Sequence, residues 1–292
     1  MKNGRKSAND MVLLFRQELA SHYPEEEIKA ILYNLFGSLM GWSRATVHLK
    51  KSVLLTSEIE KRFMGSLERL AAGEPIQYII GTTEFCGLIL TVQPGVLIPR
   101  PETEELAVMV TRQNLPFRNQ EISILDIGTG SGCLALALKK AFPTSQVTGT
   151  DISRIALSTA RKNAENNLLE ITLLENDVLQ PSLIRFPDMF HLIVSNPPYI
   201  PEQERETMSR HVVEHEPESA LFVPNENPLI FYDAIAGFAK TNLMPEGFVY
   251  VEIHEDLGEE TVTLFRNNGF RSVELFRDYF GKNRFVRASF FI

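Results

Sequence analysis

The sequence is poor in cysteine, in long apolar runs and in positive charge, and each shortage removes a class of function. Cys86 and Cys133 are the only thiols in 292 residues, too few and too isolated for a disulfide framework or a thiolate metal site. The basic start MKNGRKSAND leads into an apolar run over 11–15 that ends at Arg16, too short for the core of a secretion signal. No uninterrupted apolar stretch reaches membrane-spanning length. These shortages predict a cytoplasmic protein without a membrane partner. Lysine and arginine number 29 against 37 acidic residues, a formal net charge of -8, which disfavours binding of long nucleic acid by phosphate neutralisation.

What is present describes an ordinary globular chain. Hydrophobic residues make up 44% and charged residues 23%, which excludes a disordered or fibrous protein. The length exceeds that of one usual core, so two domains, or one α/β domain with an appendage, are expected. No internal repeat or low-complexity tract interrupts it.

The N-terminal part reads as helical. Ile28, Ile31, Leu32, Leu35 and Phe36 recur at helical spacing behind Pro24 and the glutamates Glu25, Glu26 and Glu27. Another helix should begin near Thr56 or Ser57, turn Ile59, Phe63, Leu67 and Leu70 inward, and stop at Gly73. Over 83–99 the pattern becomes extended, with apolar segments at 85–92 and 96–98 and Pro94-Gly95 as the expected hairpin turn between them. Beyond about residue 122, short apolar strands alternate with amphipathic helices. Strands are expected at 122–127, 146–150, 171–174, 192–195 and 247–253, a doubly wound parallel sheet, with a terminal strand pair at 272–276 and 285–291. The expected division is a small all-helical domain over 1–83, a β-hairpin linker over 84–100 and an α/β domain over 101–292.

The first strand of that sheet runs into Asp126-Ile127-Gly128-Thr129-Gly130-Ser131-Gly132. Glycines at alternate positions let the chain turn sharply and let a ligand lie against bare backbone at a helix N-terminus. A dinucleotide fingerprint G-x-G-x-x-G needs glycine where Cys133 stands. The spacing G-x-G-x-G behind an acidic residue instead resembles motif I of class I methyltransferases, which implies a Rossmann-like sheet and S-adenosylmethionine as cofactor. It further implies that Asp126 lies near the cationic end of the ligand, and that Gly128, Thr129, Gly130, Ser131 and Gly132 pass under its sugar and methionine portions. Asp151, 25 residues after Asp126, ends the second strand, where a carboxylate accepts ribose hydroxyls. After the third strand, Asp177 is the candidate for the adenine amino group and Val178 for the ring face. The competing reading is a glycine turn that serves only strand-to-helix packing.

The fourth strand ends in Ser195-Asn196-Pro197-Pro198-Tyr199. Two successive prolines remove backbone donors and restrict the chain, leaving carbonyls as fixed acceptors. The lone pair of an amide or exocyclic amine nitrogen is delocalised and a poor nucleophile. If the Asn196 side-chain oxygen and the Pro197 carbonyl each accept one N–H of a substrate NH2, the nitrogen is held with its π face free, and Tyr199 is placed to stack on the planar group. The motif specifies an amide or amine nitrogen; taken alone, Asn-Pro is also a common turn starter.

Over nearly its whole length the sequence is similar to bacterial release-factor glutamine methyltransferases. The similarity is carried by Glu74-Pro75-Ile76-Gln77-Tyr78-Ile79-Ile80-Gly81, by Phe85, and by the run from Pro94 through Arg100, Glu102 and Glu104. It continues through the glycine loop, Asn196 to Tyr199, Glu216-Pro217, Ala220-Leu221, and Asp278 through Gly281 to Arg284. This resemblance implies a helical N-terminal domain that helps to dock peptide chain release factors, and methylation of the glutamine in their Gly-Gly-Gln loop, with no direct nucleic-acid substrate. Two departures stand out: Asn225-Glu226-Asn227-Pro228, where the family usually has a glycine-rich stretch, and Glu252-Ile253-His254, where it usually reads Glu-Ile-Gly. Arg100 and Glu102 are open between an interdomain ion pair and substrate contact. The rival readings are a ribosomal-protein glutamine methyltransferase, a DNA or RNA amino methyltransferase, and a cofactor-binding interaction module with a dead site. His211-Val212-Val213-Glu214-His215 spells the H-x-x-E-H zinc pattern, but with no third ligand evident it is expected to be a packing segment and no metal is expected.

Overall fold

The apolar stripes of the N-terminal residues close on one another through α1 (Ala8–Leu19), α2 (Glu25–Met40), α3 (Arg44–Leu49), α4 (Ser57–Ala71) and α5 (Ile76–Ile80). Their ends are set by local chemistry. Ser7 and Asp10 form a reciprocal capping box at α1, Thr56 caps α4 through the Ile59 N–H, and Gly41 ends α2 with φ of 66°. The computed structural model describes residues 5–180, Phe186 and 189–291. The chain divides into two compact units, Met1–Gly81 with Ser209–His215, and Thr82–Met208 with Glu216–Ile292. In the first unit Phe15, Phe36 and Phe63 meet with ring centroids 6.0 and 4.7 Å apart at the centre of the helical core.

The second unit begins with the hairpin β1 (Thr82–Phe85) and β2 (Leu88–Thr91), followed by α6 (Pro101–Gln113). The hairpin turns at Cys86-Gly87, not at Pro94-Gly95: Phe85 pairs with Leu88, and the two turn residues have φ of 49° and 66°. Two successive positive φ values give the turn whose twist matches the flanking strands. The run 85–92 hides this turn because its residues are nearly all apolar; only the alternation of buried Leu88 and Leu90 around exposed Ile89 marks a strand.

The remaining elements are β3 (Ser123–Ile127), α7 (Cys133–Ala141), β4 (Gln146–Asp151), α8 (Arg154–Asn166), β5 (Thr172–Glu175), β6 (Phe190–Ser195) and β7 (Ile200–Pro201). They continue with α9 (Arg210–His215), β8 (Phe222–Val223), α10 (Ile230–Asn242), β9 (Leu243–Glu252), α11 (Gly258–Asn267), β10 (Ser272–Arg277) and β11 (Asn283–Ser289). Seven strands join in the order β10-β11-β9-β6-β3-β4-β5. The contacts among β5, β4, β3, β6 and β9 are parallel, and β11 and β10 complete the sheet antiparallel. This is the expected doubly wound sheet with its terminal pair, and β9 begins four residues earlier than the sequence pattern indicates. Helix α9 belongs to the first unit, where the His211 ring stacks on Tyr23 at 4.7 Å and its Nδ1 lies 2.8 Å from the Gly73 carbonyl.

The sheet changes direction of growth between β3 and β6, the point where ligands bind in such folds. In the register of that pair Ile127 stands opposite Ser195, and the Ser195 hydroxyl donates to the Ile127 carbonyl at 2.7 Å. The next residues, Gly128 and Asn196, therefore leave the sheet side by side.

Gly132 begins α7 with φ of 82°, and a Cβ there would lie 3.1 Å from the Ala160 Cβ on α8. Gly132→Ala combines left-handed strain with a clash and is expected to cost about 1–3 kcal/mol, measurable as a lower urea midpoint for the loss of far-UV ellipticity.

Candidate functional site

A cavity of about 270 Å³ opens at the carboxyl ends of β3, β4 and β6, entirely within the second unit. Asp126, Gly128, Thr129, Gly130, Ser131, Asp151, Asp177, Val178, Asn196, Pro197 and Pro198 all line it, so residues spread over more than seventy positions of sequence share one concavity. Gly132 and Tyr199, expected at the site, do not line it. Gly132 is buried against α8, and Tyr199 turns its ring into the core beneath β9.

Asp126 is 1% exposed and its two oxygens differ. Oδ2 accepts the Thr129 hydroxyl at 2.7 Å and the Ala135 N–H at 3.1 Å, the latter from the first turn of α7. Oδ1 is buried with no partner among the described residues. Burial pushes this carboxyl up to about 7, with the Thr129 and Ala135 bonds opposing and the nearby Asp151 charge adding to the rise. An orphaned buried carboxylate oxygen at a cavity wall calls for a hydrogen-bonding cation. Above it Gly128 and Gly130 have φ of 71° and 56°, and a Cβ on either would meet nothing within 4 Å. The loop thus presents bare backbone to open space. These features fit S-adenosylmethionine, whose amino-acid portion carries an ammonium group.

Asp151 already serves the backbone, with Oδ2 accepting the Gly130 N–H at 2.9 Å and Oδ1 the Ser153 N–H at 2.8 Å. Each oxygen keeps lone-pair capacity for a hydroxyl donor, and burial raises the carboxyl above its ordinary range. Asp177 is similarly occupied, by the Leu179 N–H and the Gln180 side-chain amide, both at 2.9 Å. Its bonds hold the turn that carries Val178 into the cavity wall. Ile152, 60% exposed beside Asp151, also lines the cavity. Its signal in the sequence is an apolar residue directly after a strand-end acid.

The Asn196 amide belongs to a buried network that motif reading misses. Its Nδ2 donates to the Thr103 hydroxyl at 2.9 Å, and that hydroxyl donates to Glu252 Oε2 at 2.8 Å. The Tyr199 hydroxyl donates to Glu252 Oε1 at 3.1 Å, and the Tyr232 hydroxyl to the Glu252 backbone carbonyl at 3.2 Å. With its nitrogen engaged, Asn196 keeps Oδ1 as an acceptor without a partner among the described residues. Among the described residues the Pro197 carbonyl accepts no hydrogen bond, so two unpaired oxygens occur at successive positions of the cavity wall. Glu252 is 1% exposed, and burial pushes its carboxyl up to about 7. Thr103 and Glu252 were legible only as parts of longer runs, the Pro-Glu-Thr-Glu stretch and the Glu-Ile-His end of β9, with nothing local to connect them.

Arg100 lines the cavity and pairs with Glu216, whose side chain is 1% exposed and also accepts the Ile98 N–H at 3.1 Å. Both partners lie in the second unit, so the pair fixes the strap Ile98 to Arg100 against the cavity wall. His254, where a glycine is usual, accepts the Asp256 N–H on Nδ1 at 3.2 Å, leaving Nε2 to donate to Glu204 at 3.1 Å. Asn225, in the other departing stretch, accepts the Gln203 N–H at 2.9 Å. In the H-x-x-E-H segment His211 is taken up by Tyr23 and Gly73 and Glu214 pairs with Arg210 at 2.6 Å. Among the described residues no helix is long and apolar enough to cross a membrane.

Residues 11–81 match the family described as PrmC N-terminal domain, and residues 107–221 the family described as Methyltransferase small domain. A release factor glutamine methyltransferase of Bacteroides thetaiotaomicron is 40% identical over 281 residues, covering 96% of this chain and 99% of that protein. One from Flavobacterium psychrophilum is 39% identical over 277 residues, covering 94% and 96%. The solved structure of the T. thermophilus 16S rRNA N2 G1207 methyltransferase with AdoMet and guanosine is similar with a TM-score of 0.52 and 18% identity, over 71% of this chain and 49% of that one. Similarity at that level shows the fold.

Because burial raises Asp126 and Glu252 above their unfolded values, the stability they contribute is complete below the unfolded carboxyl range and is lost as pH rises through about 7. The ligand-free protein is therefore expected to melt at lower temperature at pH 8 than at pH 5.5. Asp126→Asn should remove roughly 2 kcal/mol of that pH dependence, visible as a flatter plot of Tm against pH than the parent gives.

Proposed function

The chain belongs to the release factor glutamine methyltransferase family, and on that premise we propose that it transfers the methyl group of S-adenosylmethionine to the side-chain amide nitrogen of the glutamine in the Gly-Gly-Gln loop of peptide chain release factors. The observation that carries this reading is the pair of unpaired acceptors, Asn196 Oδ1 and the Pro197 carbonyl, on the same cavity wall system as the unpartnered Asp126 Oδ1.

When bound, S-adenosylmethionine supplies an electrophilic methyl group on a positively charged sulfur. Asp126 Oδ1 would hold the ammonium group of the cofactor, the remaining lone pairs of Asp151 would accept ribose hydroxyls, and Asp177, Val178 and Ile152 would enclose the adenine. Asn196 Oδ1 and the Pro197 carbonyl each accept one N–H of the glutamine amide, which fixes the nitrogen with a π face exposed. As that nitrogen loses its amide resonance and gains positive charge, its N–H groups become stronger donors, so both acceptor bonds strengthen towards the transition state. No general base is needed before bond formation: the N–CH3 bond would form as the S–CH3 bond breaks with its electron pair left on a neutral sulfur, and the proton of the acidified nitrogen would then pass to solvent. The first helical unit serves to dock the release factor, and a cytoplasmic location follows from that substrate.

Incubated with labelled S-adenosylmethionine, the protein is expected to label its own organism's release factor, and a Gln→Ala change in the Gly-Gly-Gln loop to abolish the label. Strong labelling of nucleic acid with none of the release factor would overturn the substrate. Asn196→Ala should lower kcat by about 100-fold while the Kd for S-adenosylmethionine, measured by titration calorimetry, changes little. For the cofactor site, affinity should rise about fivefold from pH 6 to pH 7, where the ammonium group stays protonated and pairs with the ionised form of Asp126. Calorimetry in buffers of different ionisation enthalpy should then register proton release on binding at pH 6.

A further inference from the structure

We infer that ionised Glu252, acting through the Thr103 hydroxyl, dictates which atom of the Asn196 amide faces the substrate, so that Glu252 and Thr103 are positioning residues for methyl transfer. The inference deepens the amide-methylation reading and rests on it.

An ionised carboxylate only accepts. Thr103 has one hydroxyl proton, given to Glu252 Oε2 at 2.8 Å, and Tyr199 gives its own to Oε1 at 3.1 Å. What Thr103 has left for Asn196 is lone pairs, so the Asn196 atom beside it must be the donor Nδ2, at 2.9 Å. Oδ1 is thereby kept for the substrate. A proton taken up from solvent by Glu252 reverses every polarity in the chain. The new carboxyl O–H donates to Thr103, Thr103 turns its proton towards Asn196, and the amide rotates by half a turn to accept it with Oδ1. The Asn196 NH2 then faces the one substrate N–H that Oδ1 would have accepted and repels it, and the Pro197 carbonyl alone still accepts the other.

The groups around Glu252 set the pH at which this happens. Burial is the largest influence and raises the carboxyl to about 7; the Thr103 and Tyr199 hydroxyls and the Arg284 charge on β11 lower it, and Glu102 on α6 raises it. The Tyr232 hydroxyl of α10 holds the backbone carbonyl, and the Cys133 thiol of α7 is itself pushed up by burial and by nearby acids, Glu252 among them.

The test has one arm independent of turnover. In protein labelled with carbon-13 at glutamate carboxyls and nitrogen-15 at asparagine amides, the Asn196 side-chain NH2 resonance, assigned with Asn196→Ala, should shift with the same midpoint as the Glu252 carboxyl. In Glu252→Gln and in Thr103→Val that shift should vanish. An Asn196 resonance that stays constant while Glu252 titrates overturns the proposal, whatever the substrate proves to be. In the kinetic arm, with release factor and cofactor saturating, kcat should rise about tenfold between pH 6 and pH 8 along the Glu252 midpoint. Glu252→Gln should give a lower kcat without that rise, Thr103→Val likewise, and Thr103→Ser should restore both, with the cofactor Kd measured at each pH unchanged among the three. A wild-type protein that leaves release factor unlabelled while the resonances co-titrate sinks the substrate reading alone. A kcat rise that survives in Glu252→Gln sinks the positioning role alone.

Discussion

Everything at the site depends on the register of one strand pair. β3 and β6 run parallel with Ile127 opposite Ser195, locked by the Ser195 hydroxyl on the Ile127 carbonyl. A slip of one residue would turn every side chain of β6 to the opposite face. It would bury Asn196 in the position of Ser195 and separate the acceptors from the glycine loop. The pairing resists such a slip because both strands are buried on both faces: Ile124, Leu125, Leu192, Ile193 and Val194 are each at most 1% exposed, and they divide between two hydrophobic clusters on opposite sides of the sheet. Core packing on each side thus sets the distance between the glycine loop and Asn196-Pro197.

On this frame two carboxylates are buried to the same degree and pushed to about the same value, yet they do opposite jobs. Asp126 is left incomplete, its Oδ1 without a partner among the described residues. Such an orphan costs stability in the ligand-free fold, and a ligand that supplied it with a donor would stabilise the protein by that interaction. Glu252 is complete, with a hydroxyl on each oxygen, so no ligand has reason to reach it. Its charge is read instead through the orientation of the hydroxyls around it. The difference explains why Tyr199, placed by its position after Asn196 as a stacking ring, points inward. Its hydroxyl is what completes Glu252, and its ring packs edge-on to His254, 6.2 Å away.

The parts of this organisation that were legible in the sequence are those with short-range causes. Helix caps, the alternation of strands and helices, the glycine loop and Asn196-Pro197 all announce themselves within a few residues. The misplaced hairpin turn had a local cause as well, but one that letters conceal: Cys86 adopts φ of 49°, a conformation for which cysteine carries no signal. Thr103 and Glu252 were illegible for a different reason. They lie 93 residues before Asn196 and 56 after it in the chain, and their relation exists only once α6 and β9 are packed. Gly132 marks a third limit. It stands in the same motif as Gly128 and Gly130, yet it is glycine because Ala160 approaches it, whereas the other two leave space open for a ligand.

The histidine pair of α9 shows the same limit from the other side. His211 and His215 stand four residues apart on a helix, the spacing that turns two rings to one face, and the letters therefore match a metal motif. What a ring at that spacing does is decided by what it faces. Here the face meets Tyr23 and the Gly73 carbonyl in the helical unit, so His211 is held as a hydrogen-bonded packing residue and its Cβ-less neighbour Gly73 gives it room, 3.3 Å from where a side chain would begin. For Asn196 the outcome is the opposite: the amide that local sequence cannot orient gives its Nδ2 to Thr103, and its oxygen is left as an acceptor at the cavity. A motif supplies a functional group, and the polarity of that group is fixed by partners the motif does not contain.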